Sequence, residues 1–215
     1  MKHMLNKELR LALHPTVPLF WLLGAMLLIP NYPYYVIFFY TLLGIFFVCL
    51  SGRENNDIAY TLTLPVRKRD VVAARMGLAV LIEGVQVAVA APFAVLRQHL
   101  PLPGNQVGMD ANIAFFGLGL LLLGDMNAFF FPRYYAAPDK VGKVFAKTSV
   151  LTFLVIGVLE TLAHALPLFR DQLDTPDPQF LLQKLICLGV GLAAYGLCTA
   201  WAYGVSVRRF EALDL

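Results

Sequence analysis

Polar residues within the apolar stretches of this 215-residue chain are the ones whose types and spacing suggest chemistry. Glu160 and His164 are four residues apart, so they share one face of a helix. Glu83 and Gln86, three residues apart, share a face in the same way, and Asp125 lies in a further apolar stretch. A carboxylate in a hydrocarbon environment is costly enough to indicate either a function or a specific partner.

These residues allow three interpretations. The first is a proton or ion relay, as in a secondary transporter, formed by Glu83, Asp125, Glu160 and His164. The second is a membrane enzyme that uses Glu160 and His164 as metal ligands. The third is hydrogen bonding between helices, or polar lining of a pathway, in which Gln86 and Asn127 would take part. The chain has no HExxH and no GxSxG motif, so no catalytic or metal-binding residue is assigned.

The elements that carry these residues are apolar segments of membrane-spanning length. Hydrophobic residues make up 59% of the chain and charged residues 14%, whereas an average soluble domain has about 25% charged residues. About 20 apolar residues in a helix cross the hydrocarbon core of a bilayer. Six stretches qualify or nearly qualify, namely 16–30, 33–51, 76–96, 112–131, 149–169 and 185–207. We therefore predict an all-α membrane protein with six transmembrane helices.

The positions of the basic residues predict the orientation of these six spans. The chain has 17 Lys and Arg residues; Arg97, Arg170 and Lys184 fall on one side of the membrane and the other fourteen on the opposite side. Because basic loops stay in the cytoplasm, we predict a multi-pass protein of the inner or plasma membrane with both termini cytoplasmic. The basic residues are spread over short loops, a distribution that does not indicate nucleic-acid binding.

Residues 1–14 have the pattern of an amphipathic helix. Leu5, Leu9 and Leu13 fall on one face, while Lys7 and Arg10 fall on another. We expect this helix to lie in the cytoplasmic membrane interface. The segment lacks the apolar core and cleavage site of a signal peptide, so the chain is expected to be retained whole.

Residues 57–75, "DIAYTLTLPVRKRDVVAAR", separate the second and third apolar stretches and are too charged to cross a membrane. Asn56 or Asp57 can cap a short helix at the start of this segment. Within that helix Ile58, Thr61 and Leu62 share one face. Clear of the bilayer, this face has no membrane partner and predicts docking in a groove of another protein. The alternative is a basic loop that rests on anionic lipid headgroups.

The second half of the segment contains a proline and a new helix start. Pro65 disfavours the helical conformation at Leu64, so the short helix should end there. Asp70 can cap the next helix, which continues to residue 96 and is about 40 Å long at 1.5 Å per residue. That length exceeds the hydrocarbon core and predicts a cytoplasmic extension. The turn between the two helices is basic and consists of Arg67, Lys68 and Arg69.

Residues 62–72, "LTLPVRKRDVV", resemble the loop pattern S-L-P-V-S-R-K-E-I-V of small ABC-2-type transporter permeases. These include the permease subunits of bacterial exporters of amphipathic toxin peptides such as phenol-soluble modulins. Residues 63–66 match the first half of the pattern, and residues 68–72 match the second half in character. Arg67 replaces a small hydroxyl residue. The first residues "MLNKELRLAL" and the last residues "SVRRFEALDL" are also similar to those permeases.

The resemblance implies a single transmembrane permease domain, residues 1–215, with an interfacial helix at 1–14 and a cytoplasmic coupling loop at 52–75. In such permeases this loop carries a coupling helix that docks on an ATP-binding subunit. The residues that the resemblance assigns to the ATPase interface are Asp57, Ile58, Thr61, Leu62, Leu64, Pro65, Arg67, Lys68, Arg69 and Asp70.

The partners implied by the resemblance are a separate ABC-type ATPase, a second permease subunit, identical or different, and membrane lipids. The chain has no GxxxxGK[ST] motif, so ATP and Mg²⁺ would bind the ATPase, and this chain would be a non-catalytic subunit without a cofactor. Analogy favours export of an amphipathic or antimicrobial peptide. The alternative function is a proton-coupled secondary transporter. The residues expected in the pathway or interior are Glu83, Gln86, Asp125, Glu160 and His164.

Overall fold

A computed structural model describes residues 2–213 of the chain. Met1, Asp214 and Leu215 of the predicted 1–215 domain lie outside the described residues, as do the side chains of Lys2 and His3. The described chain is helical, without a strand. Its α-helices are α1 (Lys2–Lys7), α2 (Val17–Leu22), α3 (Val36–Glu54), α4 (Asp57–Leu62), α5 (Lys68–His99), α6 (Ile113–Tyr134), α7 (Val141–Ala165) and α8 (Leu181–Glu211). Short 3₁₀ segments occur at Leu23–Leu28 and Pro138–Lys140, and π-helical turns at Glu8–Ala12 and Phe169–Leu173.

Five helices, α3 and α5 to α8, are long and apolar enough to cross a membrane. The first predicted span is shorter and less regular than the sequence suggested. It consists of α2 and the 3₁₀ segment, which together rise about 20 Å. It is bent by 81° from the preceding N-terminal piece. The described residues thus contain five candidate spans, or six if the N-terminal piece and this bent segment count together as one span.

The short first segment packs closely against α5. Trp21 donates its indole N–H to the carbonyl of Ile82 at 3.1 Å. A Cβ on Gly24 would lie 3.2 Å from the Cα of Ala90, so the two backbones are nearly in contact. This close packing holds the segment against the bundle although it is too short to span the hydrocarbon core by itself.

The fifth predicted span, residues 149–169, is displaced in the structure, where α7 covers Val141–Ala165. The helix begins earlier than the apolar stretch because Lys143 and Lys147, although charged, are good helix formers. It ends earlier because Pro167 disfavours the helical conformation at Leu166, which is extended. The hydropathy pattern thus located the apolar part of α7, whereas helix propensity at its start and proline at its end set the observed bounds.

Helices α6 and α8 pack along most of their length through glycine. A Cβ on Gly191 would lie 1.9 Å from the carbonyl oxygen of Gly117, and a Cβ on Gly124 would lie 2.9 Å from the Cα of Tyr195. Only glycine permits backbones to approach this closely, as at other small-residue contacts between membrane helices. The sequence contains these glycines but does not indicate which helix they face.

The bundle has two distinct ends. We call one end the base; it is formed by residues 2–14, 52–75, 133–143 and 208–213. At the base, Lys68 donates to the carbonyl of Leu213, and Arg209 donates to that of Pro132 at 2.9 Å. The described chain begins and ends at the base, which fits an even number of crossings.

We call the opposite end the far end; it is formed by residues 29–35, 97–112 and 166–180. Its loops are joined by hydrogen bonds. Arg97 is paired with Asp110 at 3.0 Å, and Asn112 donates to the carbonyl of Leu173 at 2.7 Å. The fully buried Lys184 is paired with Asp177 at 2.9 Å. All three cations that the sequence placed opposite the termini, Arg97, Arg170 and Lys184, lie at or next to this end.

Candidate functional site

Helix α4 lies at the base between α3 and α5, and the short helix predicted after Asn56 is therefore present. It is entered through Asn56, whose φ of 50° is in the left-handed region that Asn tolerates better than most residues. The helix ends at Leu62, three residues before Pro65. The left-handed turn and the proline thus limit α4 to six residues.

The predicted capping interactions are wrong in both helices. Neither Asn56 nor Asp57 caps α4 through its side chain. The carboxylate of Asp57 is occupied by Arg75 and Lys7 instead. Helix α5 begins at Lys68, ahead of the predicted cap at Asp70. Asp70 accepts a bond from the Nε of Arg67 at 3.2 Å within the first turn.

Four charged side chains join α4 to the N-terminal segment and to α5; we call them the base ion network. Arg75 of α5 pairs with both Glu8 and Asp57, the latter at 2.6 Å. Lys7 pairs with Asp57 and donates to the hydroxyl of Thr61 at 2.6 Å. The side chains of Glu8 and Arg75 are only 1% and 5% exposed. Buried charges persist only when they are paired, so this network fixes three elements relative to one another.

The charge of Asp57 is stabilised by these partners. Burial acts to raise its pKa, but the hydrogen bond from Lys7 and the positive charges of Arg75 and Lys7 outweigh burial. The pKa therefore lies below its ordinary value of 3.8. An acid whose pKa is depressed by folding stabilises the fold above its unfolded value, and the contribution is lost as pH falls through the folded pKa. The carboxylate of Asp57 is therefore charged across the neutral range.

The predicted apolar face of α4 is turned largely toward its own bundle. Thr61 is buried, and Ile58 and Leu62 are half-buried against the hydrophobic core. Within α4 and the following turn, the large hydrophobic side chains that are exposed are Tyr60, which is 68% exposed, and Leu64, which is 45% exposed. A groove on a partner would therefore meet these two side chains first.

Of the three basic residues after Pro65, two are exposed to solvent and one contacts another part of the chain. Arg67 and Arg69 are exposed. Lys68 is half-buried, donates to the carbonyl of Leu213 and lies 5.9 Å from the ring centroid of Phe210. Lys68 thus ties the start of α5 to the C-terminal helix.

The polar residues predicted for the interior do not form one site. Glu83 of α5 is buried against α6 and α8. One of its carboxylate oxygens accepts hydrogen bonds from Tyr195 of α8 at 2.6 Å and from Asn127 of α6 at 3.1 Å. Gln86, also on α5, is fully buried. Asp125 is half-exposed and lies outside this cluster. The structure thus places Glu83, Asn127 and Tyr195 together, and no sequence pattern indicated that Tyr195 belongs to this cluster.

Glu160 and His164 are not joined by a hydrogen bond or an ion pair in the described structure. Glu160 lies at the far end of α7, where it accepts the backbone N–H of Met109 at 3.1 Å, and His164 is exposed. A Cβ on Gly108 would overlap the Glu160 carboxylate, so the loop passes directly over that side chain. Among the described residues no group of three His, Cys, Asp or Glu side chains is placed to hold a metal ion.

Five long apolar helices and one bent, shorter segment define a multi-pass α-helical membrane protein. Residues 3–211 match the family model described as ABC-2 family transporter protein, and the chain belongs to this family. Comparison with curated proteins and with solved structures finds no match. Membership of the family makes the chain a membrane component of a transporter and implies an ABC-type ATPase as its partner.

Proposed function

We propose that this chain is the permease subunit of an ATP-driven exporter and that α4 is its coupling helix. The supporting observation is the base ion network, which connects α4 to α5 and to the N-terminal segment through Asp57, Arg75 and Glu8. A force applied to α4 would pass directly into these two elements. Rigid-body movement of packed helices is an established way to transmit such a force.

The length of α5 supports a lever below the membrane. Its 32 residues correspond to about 48 Å, about 18 Å more than the hydrocarbon core. Arg97 and its ion pair mark the far end of this helix. The excess length therefore lies mainly at the base, beside α4, in the region where an ATPase would bind. The positive-inside distribution supports a cytoplasmic location for this base and for both termini.

The proposed assembly and substrate rest on the resemblance to ABC-2-type permeases. Two permease subunits, identical or different, would enclose the transport pathway, and the ATPase subunits would hold ATP and Mg²⁺. The exported molecule would be an amphipathic peptide. The single domain would comprise the interfacial helix 1–14, the coupling loop 52–75 and the spans.

The proton-coupled alternative receives no support from the arrangement of the acidic residues. Glu83 lies among α5, α6 and α8, whereas Glu160 is bonded to a loop at the far end. A relay needs neighbouring groups that exchange protons, and no hydrogen bond connects these two among the described residues.

The test of the proposed function uses Leu64→Asp with Pro65→Asp in the tagged chain, purified in mild detergent from its native host cells, which supply its own ABC-type ATPase. We expect wild type to retain the ATPase and the double variant to lose it about tenfold, because charge replaces an exposed apolar contact. The matched control is Leu100→Asp at the far end, where Leu100 is 40% exposed. Equal retention by all three proteins, or none by wild type, would contradict the coupling role.

A further inference from the structure

One face of α7 is basic at the base and apolar along the rest of the helix. Three exposed lysines and then three exposed apolar residues follow one another along this face. Their spacings of three and four residues place side chains on the same side of a helix. We call these residues the α7 stripe; they are Lys140, Lys143, Lys147, Val150, Leu154 and Val158.

The opposite face of α7 packs into the bundle, which fixes the direction of the stripe. Val144, Thr148 and Thr152 are buried on that face. Beside them Phe145 stacks on Phe46 of α3, with the ring centroids 4.2 Å apart. The stripe is therefore turned away from the bundle, and in a membrane its apolar half meets acyl chains.

The length of α7 gives the level of the lysines in the membrane. Lys147 and the exposed His164 near the far end are 17 positions apart, which corresponds to about 26 Å along the helix. The hydrocarbon core is about 30 Å thick, so Lys147 lies at its edge. Lys143 and Lys140 lie about 6 and 10 Å farther out. Headgroups extend roughly 5–7 Å from the core, and flexible lysine stems allow all three ammonium groups to reach that level.

The three lysines have no anionic partner in the described part of the chain, where none of them forms an ion pair. Other cations at the base differ: Arg53 is paired with Glu54, and Arg67 with Asp70. Asp139 is exposed and precedes the first lysine, but it is not paired with the stripe in the described structure. Like charges three and four residues apart repel each other on a helix. An anion from outside the chain would relieve this repulsion.

The chemistry of the stripe favours a lipid over a second copy of the chain. In a two-fold symmetric contact through this face, the lysines of the two copies would meet and repel each other. In the proposed orientation the base meets the cytoplasmic leaflet, which contains anionic phospholipids. Such a lipid carries a phosphate above its acyl chains. It therefore offers an anion and then hydrocarbon, in the order in which the stripe presents lysines and apolar residues.

We propose that the α7 stripe binds one anionic phospholipid. Its phosphate lies among the three lysines, and one acyl chain runs along Val150, Leu154 and Val158. The lipid thus occupies a defined place on the protein and neutralises the base end of α7. The proposal rests on the orientation in the proposed function but needs no ATPase, so its failure would leave the coupling role of α4 intact.

The test replaces the lysines together, as Lys140→Gln, Lys143→Gln and Lys147→Gln. Wild type and this triple variant are titrated in detergent with phosphatidylglycerol and, separately, with phosphatidylcholine, and bound lipid is measured by native mass spectrometry. A lysine near an anionic lipid surface contributes about fivefold to binding. We expect the triple variant to bind phosphatidylglycerol at least about tenfold more weakly and phosphatidylcholine as wild type does.

The matched control removes the same charge from three exposed cations on separate elements at the base, as Arg10→Gln, Arg69→Gln and Arg208→Gln. We expect less than about a twofold change in phosphatidylglycerol binding, because these residues do not share a face. Replacing the three lysines by arginine keeps the charge and should preserve binding. Equal losses in the lysine-to-glutamine variant and the control would show that net charge attracts the lipid, and would overturn the proposal.

A second measurement uses wild type alone. Phosphatidylglycerol should raise the temperature of thermal unfolding more than phosphatidylcholine does, because a ligand that binds the folded state stabilises it. Equal effects of the two lipids would contradict recognition of an anionic headgroup. A stoichiometric protein subunit that is lost from the lysine-to-glutamine variant, while lipid binding stays unchanged, would assign the stripe to that subunit and also overturn the proposal.

Discussion

Arg75 connects three otherwise separate parts of the molecule. Its guanidinium pairs with Glu8 from the N-terminal segment and Asp57 from α4, and it donates to the carbonyl of Val48 on α3 at 3.4 Å. A planar guanidinium has five donors in a fixed geometry, so it can serve several acceptors where a lysine could not. The sequence marked Arg75 only as one of the basic residues near the membrane.

We expect Arg75→Met to destabilise the protein by about 3–5 kcal/mol, because it leaves the buried carboxylate of Glu8 without its main partner. Thermal unfolding in detergent measures the loss. Adding Glu8→Gln to Arg75→Met should recover part of it, since the unpaired buried charge is then removed.

The control for this experiment is Arg53→Met. Arg53 is paired with Glu54, but the two side chains are 38% and 60% exposed, so the change should cost at most about 1 kcal/mol. Equal effects of Arg75→Met and Arg53→Met would show that the base ion network does not hold these elements together.

At the scale of the elements, the contact between α6 and α8 is the closest in the bundle. Gly117 and Gly191 place the two backbones against each other. The contact also brings Tyr195 of α8 within reach of Glu83 on α5. Helices whose lipid-facing sides are apolar have little hydrophobic drive to associate in a membrane, so close backbone packing and buried polar bonds stabilise this arrangement.

We expect Gly191→Ala to destabilise the protein by about 1–3 kcal/mol, because the added methyl group overlaps the Gly117 carbonyl. Gly189→Ala on the same helix is the matched control, since nothing lies within 4 Å of the added Cβ. That change should be neutral or stabilise by up to about 1 kcal/mol. Thermal unfolding of both variants in one detergent is the measurement, and a similar loss in both would refute the close contact.

The whole molecule has an asymmetric distribution of charge and of chain ends. Both described chain ends, α4 and most of the basic residues lie at the base, whereas the far end is closed by loops that bond to one another. This asymmetry agrees with the proposed function, in which the base faces the cytoplasm and the ATPase. It also makes the orientation testable without knowledge of the substrate.

We expect a membrane-impermeant maleimide to label Val107→Cys but not Tyr60→Cys in intact cells, in a background without the three native cysteines. Val107 is 44% exposed at the far end and Tyr60 is 68% exposed at the base, so both sites are open to the reagent. In permeabilised cells that lack the partner ATPase, which would otherwise cover this side chain, Tyr60→Cys should become reactive. Labelling of Tyr60→Cys in intact cells would reverse the proposed orientation.

The sequence alone determined the class of fold and the main elements. Apolar stretches about 20 residues long can only be stable as helices in a membrane, so spans such as α3 and α6 were predicted close to their observed bounds. The short helix α4 was predicted because Pro65 limits the helical backbone before it, although the side-chain cap predicted at Asn56 or Asp57 is absent. Family-specific features of residues 62–72 indicated the transporter class, which the match over residues 3–211 confirms.

Only the tertiary structure decided which side chains meet. The partners of Asp57 are 50 residues before it and 18 residues after it, and Tyr195 is 112 residues from Glu83, so no local pattern could pair them. The caps predicted at Asp57 and Asp70 were wrong because cations from other turns and segments compete for carboxylates more strongly than backbone N–H groups do. A cavity beside α4 likewise depends on distant parts of the chain, because Ile58 and Leu62 line it together with Tyr134 and Pro138.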